Sequence, residues 1–322
     1  MPLIRSTELL QYARAARFAV GAFNADNMEI VQAIVEAAGE ERAPVILQVS
    51  GPAIRYAGLA LLSGIVKTAA AEADVPVVLH LDHGDSLEQN VLALRAGFTS
   101  LMFDGSRLPY ADNIAITQQV VHLAHVVGVP VEAELGKVLH KGAAPEDVAD
   151  ALTDPDEAAD FVARTGCDSL AVAVGSVHAM TAQEAMLDVE RVRAIAARVA
   201  VPLVLHGSSG VQPESVVAAI AEGICKVNVA TYIKQAFVTE LRAVMAASPA
   251  EVDFRTLFAP ARAAAKERVR EKLRLFGASG RVSGTGDFRS PPTLHRSAGI
   301  ITKCGKSQGP ACGPQGTLTS KI

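Results

Sequence analysis

The 322-residue chain has no tryptophan, 4% aromatic residues and four cysteines: Cys167, Cys225, Cys304 and Cys312. The cysteines form no CxxC pair or framework spacing, and with His295 they match no standard zinc pattern, so a reducing cytoplasm is the expected compartment. No cluster of basic residues is interleaved with aromatics and the net charge is −4, which argues against a nucleic-acid partner. There is no stretch of eighteen uninterrupted apolar residues, and Arg5, Glu8, Arg14 and Arg17 break up the N-terminus. Neither a membrane span nor a signal peptide is expected.

Hydrophobic residues make up 50% of the chain and charged residues 20%, a globular composition. Eight strand-like runs recur: 19–25, 44–50, 76–83, 99–106, 130–136, 169–176, 202–209 and 224–231. Four open on a proline that follows a helical segment, a combined helix stop and strand start. Their continuous apolar character fits parallel strands covered on both faces. Helical patterns such as 28–41 and 86–97, the latter capped by Ser86, lie between them. Eight strand–helix units in unbroken alternation predict a single (β/α)8 TIM barrel over 1–281. An open doubly wound sheet is less favoured because no GxGxxG follows the first strand. Helices are expected at 232–246 and 261–277, and the first, Gly- and Pro-containing part of the interval 137–161 could form a lid over the mouth. The remainder, 282–322, is Gly/Ser/Pro-rich and carries +4 against −8 for the body, the composition of a disordered basic tail.

Polar residues in these apolar runs gather near their C-terminal ends: Asn24, Ser50, Asp82, His83, Asp104, Glu132, Glu134, Ser176, His178, His206 and Asn228. Barrel enzymes keep their chemistry at that end. Histidines ending strands three, six and seven could converge on one Zn²⁺ and leave a coordination position open. Spacing alone leaves blander readings open, with Asp82 capping a helix and Asp104 occupying a turn. The segments His206–Gly207–Ser208–Ser209–Gly210 and Asn228–Val229–Ala230–Thr231 follow strands seven and eight, a frequent phosphate-binding location.

Taken in order, AFNADNMEIVQAIVEAA, HLDHG, LMFDGS, VEAELG, LHGSSG, KVNVAT and FAPARAAAKERVREKLRLFGASG resemble the class II, zinc-dependent ketose-bisphosphate aldolases of fructose and tagatose type, from about Ser6 to Arg281. The resemblance implies zinc ligands at His83, His178 and His206, with Asp104 and Glu134 at a second or alternative metal site. It implies a catalytic acid at Asp82 and a proton-carrying lid acid at Glu146. It further implies that Gly207, Ser208, Ser209, Asn228, Ala230 and Thr231 hold dihydroxyacetone phosphate, with Asn24 in the same site and Ser50 and Arg255 near the distal phosphate. A bound Na⁺ or K⁺ and a homodimer or homotetramer are also implied.

The chain departs from the family at Ala179, where relatives usually carry glycine, and in the lid sequence KVLHKGAAPED. A left-handed backbone at Ala179 would be strained. Ala230 in NVAT resembles the tagatose branch, with fructose 1,6-bisphosphate or another ketose phosphate as alternatives. Two rival readings remain: a Schiff-base aldolase using Lys226, and a non-catalytic zinc or sugar-phosphate binding barrel.

Overall fold

A computed structural model of the chain describes residues 3–142 and 144–283; of the expected tail, 284–322 lie outside the described residues. The eight expected strands form as β1 (Val20–Asn24), β2 (Val45–Ser50), β3 (Val77–Asp82), β4 (Leu101–Phe103), β5 (Val131–Leu135), β6 (Ser169–Val172), β7 (Leu203–Leu205) and β8 (Ile224–Val229). They pair in parallel in the order β3-β2-β1-β8-β7-β6-β5-β4. The β3–β4 seam is drawn together by Leu81 N–H donating to the Ser100 carbonyl and Ser100 N–H donating to the Leu79 carbonyl, both at 3.1 Å. The result is a nearly closed (β/α)8 barrel.

The side-chain period of two separates the strands' two faces. Residues such as Val45, Leu47 and Val49 join one large apolar cluster, whereas Met102, Ala171 and Val204 form a small separate one. Register places Met102 beside Glu132 and Val204 beside Lys226. The lumen is therefore built from a few apolar residues and several buried polar ones. Helix Ser6–Ala16 buries Leu9, Leu10 and Ala13. It lies at the N-terminal ends of the strands, tied there by Ile4 N–H to the Val77 carbonyl and by Arg14 to the Val199 carbonyl. The opposite, C-terminal end is left open as the mouth.

The final helix differs from expectation. It spans Phe254–Leu275 and runs through Pro260, seven residues earlier than the charged run alone suggests. Proline costs a helix one hydrogen bond and a steric clash. Packing against helices Met28–Glu41 and Thr231–Ala247 outweighs that cost, since tertiary contacts supply most helical stability in proteins. Glu41 fastens this packing: Arg270 Nε at 3.0 Å, Arg274 Nη2 at 2.6 Å and Ser279 Oγ at 2.8 Å all donate to its carboxylate. Burial opposes the charge on Glu41, yet these donors pull its pKa down to about 2. The stabilisation is thus complete above the usual carboxylate range near 4.5 and is lost as pH falls toward 2. Glu41→Gln is expected to lower stability by roughly 2 kcal/mol at pH 7 and to flatten acid unfolding between pH 5 and 2, read by urea titration at several pH values. Parallel stability–pH curves for the two proteins would contradict this.

Candidate active site

A cavity of about 440 Å³ occupies the mouth. Its histidines arrive from separate strands: His83 one residue past β3, His178 in the segment after β6 and His206 one residue past β7. One nitrogen from each lies within 4.8 Å of the others, and a second such group is formed by His83, Asp104 and Glu134. His83 adopts a left-handed φ of 49°, unusual for a non-glycine residue. That turn aims its ring back over the barrel. His83 Nδ1 sits 2.7 Å from Asp104 Oδ2, and His83 Nε2 sits 3.0 Å from His206 Nδ1.

Electrostatics at this point favour a cation. Burial opposes charge on His83, but Asp82, Asp104 and Glu134 around it raise its pKa to about 10. Burial, joined by charge on His83, depresses His178 to about 4, so its ring is neutral and free to ligate. Burial and then repulsion from Asp104 raise Glu134 to about 8, and its buried Oε2 has no hydrogen-bond partner. Burial works against ionisation of Asp104 too, yet the His83 hydrogen bond holds it well below the usual carboxylate range. Three imidazole nitrogens facing one point, with an orphaned carboxylate oxygen beside them, form a donor set suited to a divalent metal ion.

Asp82, only 4% exposed, is held from both sides. Asn24 Nδ2 donates to its Oδ2 and Asn228 Nδ2 to its Oδ1, each at 3.1 Å. Gln48 Nε2 in turn donates to Asn24 Oδ1 at 2.8 Å and fixes that amide. Asn24, Gln48 and Asp82 come from β1, β2 and β3, where register aligns Asn24 with Gln48 and Ser50 with Asp82. Ser50 also lines the cavity.

On the far side, the turn Ser208–Gly210 and the start of helix Thr231–Ala247 build a small cradle. Gly207 has φ 66°, and a Cβ there would come within 2.9 Å of the Val177 backbone, so glycine is required. Ser208 Oγ donates to the Asn228 carbonyl at 2.5 Å, and Tyr232 N–H donates to Ser209 Oγ at 3.3 Å. Ala230 and Thr231 complete the wall. Ala179 also lines the cavity and takes the left-handed conformation, φ 62°. The strain expected of alanine at that position is therefore present, on the order of 1–2 kcal/mol.

Two expected residues stand elsewhere. Glu146 is exposed on the short helix Pro145–Asp150, outside the cavity lining. Arg255 is also outside it, its guanidinium bonded to Asp253 with Nη2 to Oδ2 at 2.7 Å.

Beneath the histidines lies a buried polar chain whose roles the sequence did not reveal. His206 Nε2 is 2.9 Å from Glu132 Oε1, and Lys226 Nζ donates to Glu132 Oε2 at 2.7 Å. Lys226 Nζ is also 3.3 Å from His80 Nε2. With its Nε2–H donating to Glu132, His206 presents the Nδ1 lone pair toward His83, the tautomer a metal site needs. Lys226 shares strand parity with Asn228 on β8. It is fully buried and lies outside the cavity lining, so it offers no accessible Schiff-base amine. Removing one member of a buried ion pair leaves the other uncompensated. Glu132→Ala is expected to destabilise metal-free protein by about 3–5 kcal/mol, measured by denaturant unfolding, with Glu132→Leu/Lys226→Met milder than either single change. A Glu132→Ala loss below 1 kcal/mol would contradict this account of the pair.

His140 is a further histidine at the mouth. It lies in the segment after β5, lines the cavity and places its ring 5.4 Å from that of His178. Leu139 and Lys141 hold it there through backbone bonds on either side of His178, from His178 N–H at 2.8 Å and to the His178 carbonyl at 3.0 Å.

The chain is similar to known proteins over most of its length. Residues 4–281 match the family described as "Fructose-bisphosphate aldolase class-II". A fructose-bisphosphate aldolase of Thermus caldophilus is 42% identical over 305 residues, covering 87% of this chain and all of that protein. A probable fructose-bisphosphate aldolase of Bacillus subtilis is 44% identical over 285 residues, covering 87% and 99%. The crystal structure of the YdjI aldolase from Escherichia coli K12 superposes with TM-score 0.76 at 36% identity, covering 86% of this chain and 98% of that one. The chain therefore belongs to the class II fructose-bisphosphate aldolase family and is an aldolase, a carbon–carbon lyase.

Proposed function

We propose that the chain catalyses reversible, zinc-dependent aldol cleavage of a ketose 1,6-bisphosphate, fructose or tagatose, to dihydroxyacetone phosphate and glyceraldehyde 3-phosphate. The observation that carries this reading is the convergence of His83, His178 and His206 beside an Asp82 held by Asn24 and Asn228. Zn²⁺, when bound by those histidines, supplies Lewis-acid stabilisation of negative charge developing on the ketose oxygens. Asp82 takes the proton of the C4 hydroxyl during cleavage and returns it to the aldehyde oxygen during condensation. The two asparagine amides fix both carboxylate oxygens, so the proton acceptor is oriented before substrate arrives.

Ser208, Ser209 and the backbone N–H groups that open helix Thr231–Ala247 receive the dihydroxyacetone-phosphate end, as helix N-termini favour anions. Asp104 and Glu134 offer a second cation position sharing His83. A Na⁺ or K⁺ ion near the phosphate cradle belongs to the same proposal. Glu146 is the proposed carrier of the dihydroxyacetone carbon's proton. From its exposed position that role requires Pro145–Asp150 to swing inward.

A second reading, an aldolase acting on another ketose phosphate, is favoured by two observations. Ala179 narrows backbone freedom at the mouth, and an open groove of about 770 Å³ adjoins it, sharing Ser106, Lys137 and His140 as walls. Assembly with a second copy of the chain and a cytoplasmic location are proposed on the family resemblance. Among the described residues no single helix is long and apolar enough to cross a membrane. Coupled-assay cleavage of fructose 1,6-bisphosphate and tagatose 1,6-bisphosphate by zinc-loaded protein tests the proposal. Turnover of either is expected, with the faster naming the substrate. No turnover of either would overturn the bisphosphate assignment and leave the second reading.

A further inference from the structure

Twenty-two residues line the mouth, but only two of them are lysine or arginine: Arg107 and Lys137. Arg107 follows β4 and Lys137 follows β5, which are neighbours in the sheet. Asp82, Asp85, Asp104 and Glu134 line the same cavity. Among the described residues, neither cation is drawn into an ion pair or side-chain hydrogen bond with any of them. Asp104 is already committed to His83 and to Ser106, whose hydroxyl donates to Oδ1 at 2.7 Å. Two exposed cations left unpaired beside four carboxylates are available to an incoming anion.

Their place in the ring says which anion. Strand order puts β4 directly across the barrel from β8, and the phosphate cradle is built from the segments after β7 and β8. A ketose phosphate anchored there by its C1 phosphate, with its carbonyl end over the histidines, extends toward the β4–β5 rim. Lys137 also faces the adjoining groove, and its backbone N–H donates to the Ala151 carbonyl at 2.9 Å, just past helix Pro145–Asp150. That bond fixes the backbone of Lys137 at the junction of the two spaces.

We propose that Arg107 and Lys137 form the subsite that reads the anionic terminus of the aldehyde half of the substrate, a phosphate or a carboxylate. Arginine presents a planar fork suited to either oxyanion, and lysine adds a point charge. The proposal rests on the aldolase reading above and adds to it the residues that set acceptor specificity.

The test runs condensation of dihydroxyacetone phosphate, on zinc-loaded full-length protein, with three acceptors: glyceraldehyde 3-phosphate, succinic semialdehyde and uncharged glyceraldehyde. Arg107→Met, Lys137→Met, the double variant, Arg107→Lys and Arg255→Met are compared. The ratio of kcat/KM for anionic over neutral acceptors is expected to fall about tenfold for each cation removed and about a hundredfold in the double variant, chiefly through acceptor KM. Arg107→Lys should recover part of that loss. A drop confined to the phosphate acceptor identifies a phosphate subsite, and one confined to the semialdehyde identifies a carboxylate subsite; both support the proposal. Equal losses on charged and neutral acceptors, or selectivity that moves only with Arg255→Met, would overturn the subsite while leaving the aldolase reading intact. No condensation with any acceptor by the unsubstituted protein would overturn that reading and the subsite together.

Discussion

His206→Ala is expected to remove tightly bound Zn²⁺ and to lower kcat/KM for ketose-bisphosphate cleavage by about a thousandfold or more, because metal charge stabilisation is worth several kcal/mol. His206 is fully buried and bridges two parts of the site, with Nδ1 3.0 Å from His83 and Nε2 2.9 Å from Glu132. Its loss withdraws one of three nitrogens and frees the Glu132–Lys226 pair from its hold on the metal site. Zinc stoichiometry measured alongside turnover checks the cause. A variant that retained one zinc per chain and activity within tenfold of the parent would remove His206 from the ligand set.

Asp82→Asn should behave differently. Asparagine keeps the shape but cannot accept the hydroxyl proton, and its own NH₂ would face the amide donors of Asn24 or Asn228, each now 3.1 Å from a carboxylate oxygen. Loss of a positioned general base or acid costs about 10²–10⁴ in rate. The expected result is a fall of that size in kcat with zinc content unchanged, since Asp82 is not one of the grouped metal-ligating side chains. Full kcat, or a loss that tracked zinc loss, would contradict a proton-transfer role. Together the two variants separate holding the metal from moving the proton.

The barrel was readable because its punctuation is local. Prolines before strands, apolar runs and strand-end polar residues all act within a few positions, and the eight strands form where they predict. The three histidines proposed to hold the metal were legible for the same reason, His83 and His206 standing one residue past a buried strand and His178 in the segment that follows one. The residues that escaped notice owe their positions to the ring. His80 sits mid-strand, and only closure of β3 onto the β4 side brings its Nδ1 to within 2.8 Å of Ser100 Oγ and its Nε2 toward Lys226. Glu132 was visible as a polar strand residue, but its partners come from β7 and β8, distant in sequence. Pro260 reads as a break, yet packing on two neighbouring helices carries the helix through it. Arg107 and Lys137 carry no motif at all, and their meaning comes from sharing a cavity.

The most direct test of the central claim is removal and return of the metal. Protein stripped with a strong chelator should lose cleavage of ketose 1,6-bisphosphate and regain it on addition of about one equivalent of Zn²⁺ per chain, with no adduct trapped by borohydride in the presence of substrate. Undiminished cleavage by zinc-free protein, or a borohydride-trapped adduct on Lys226, would contradict the account.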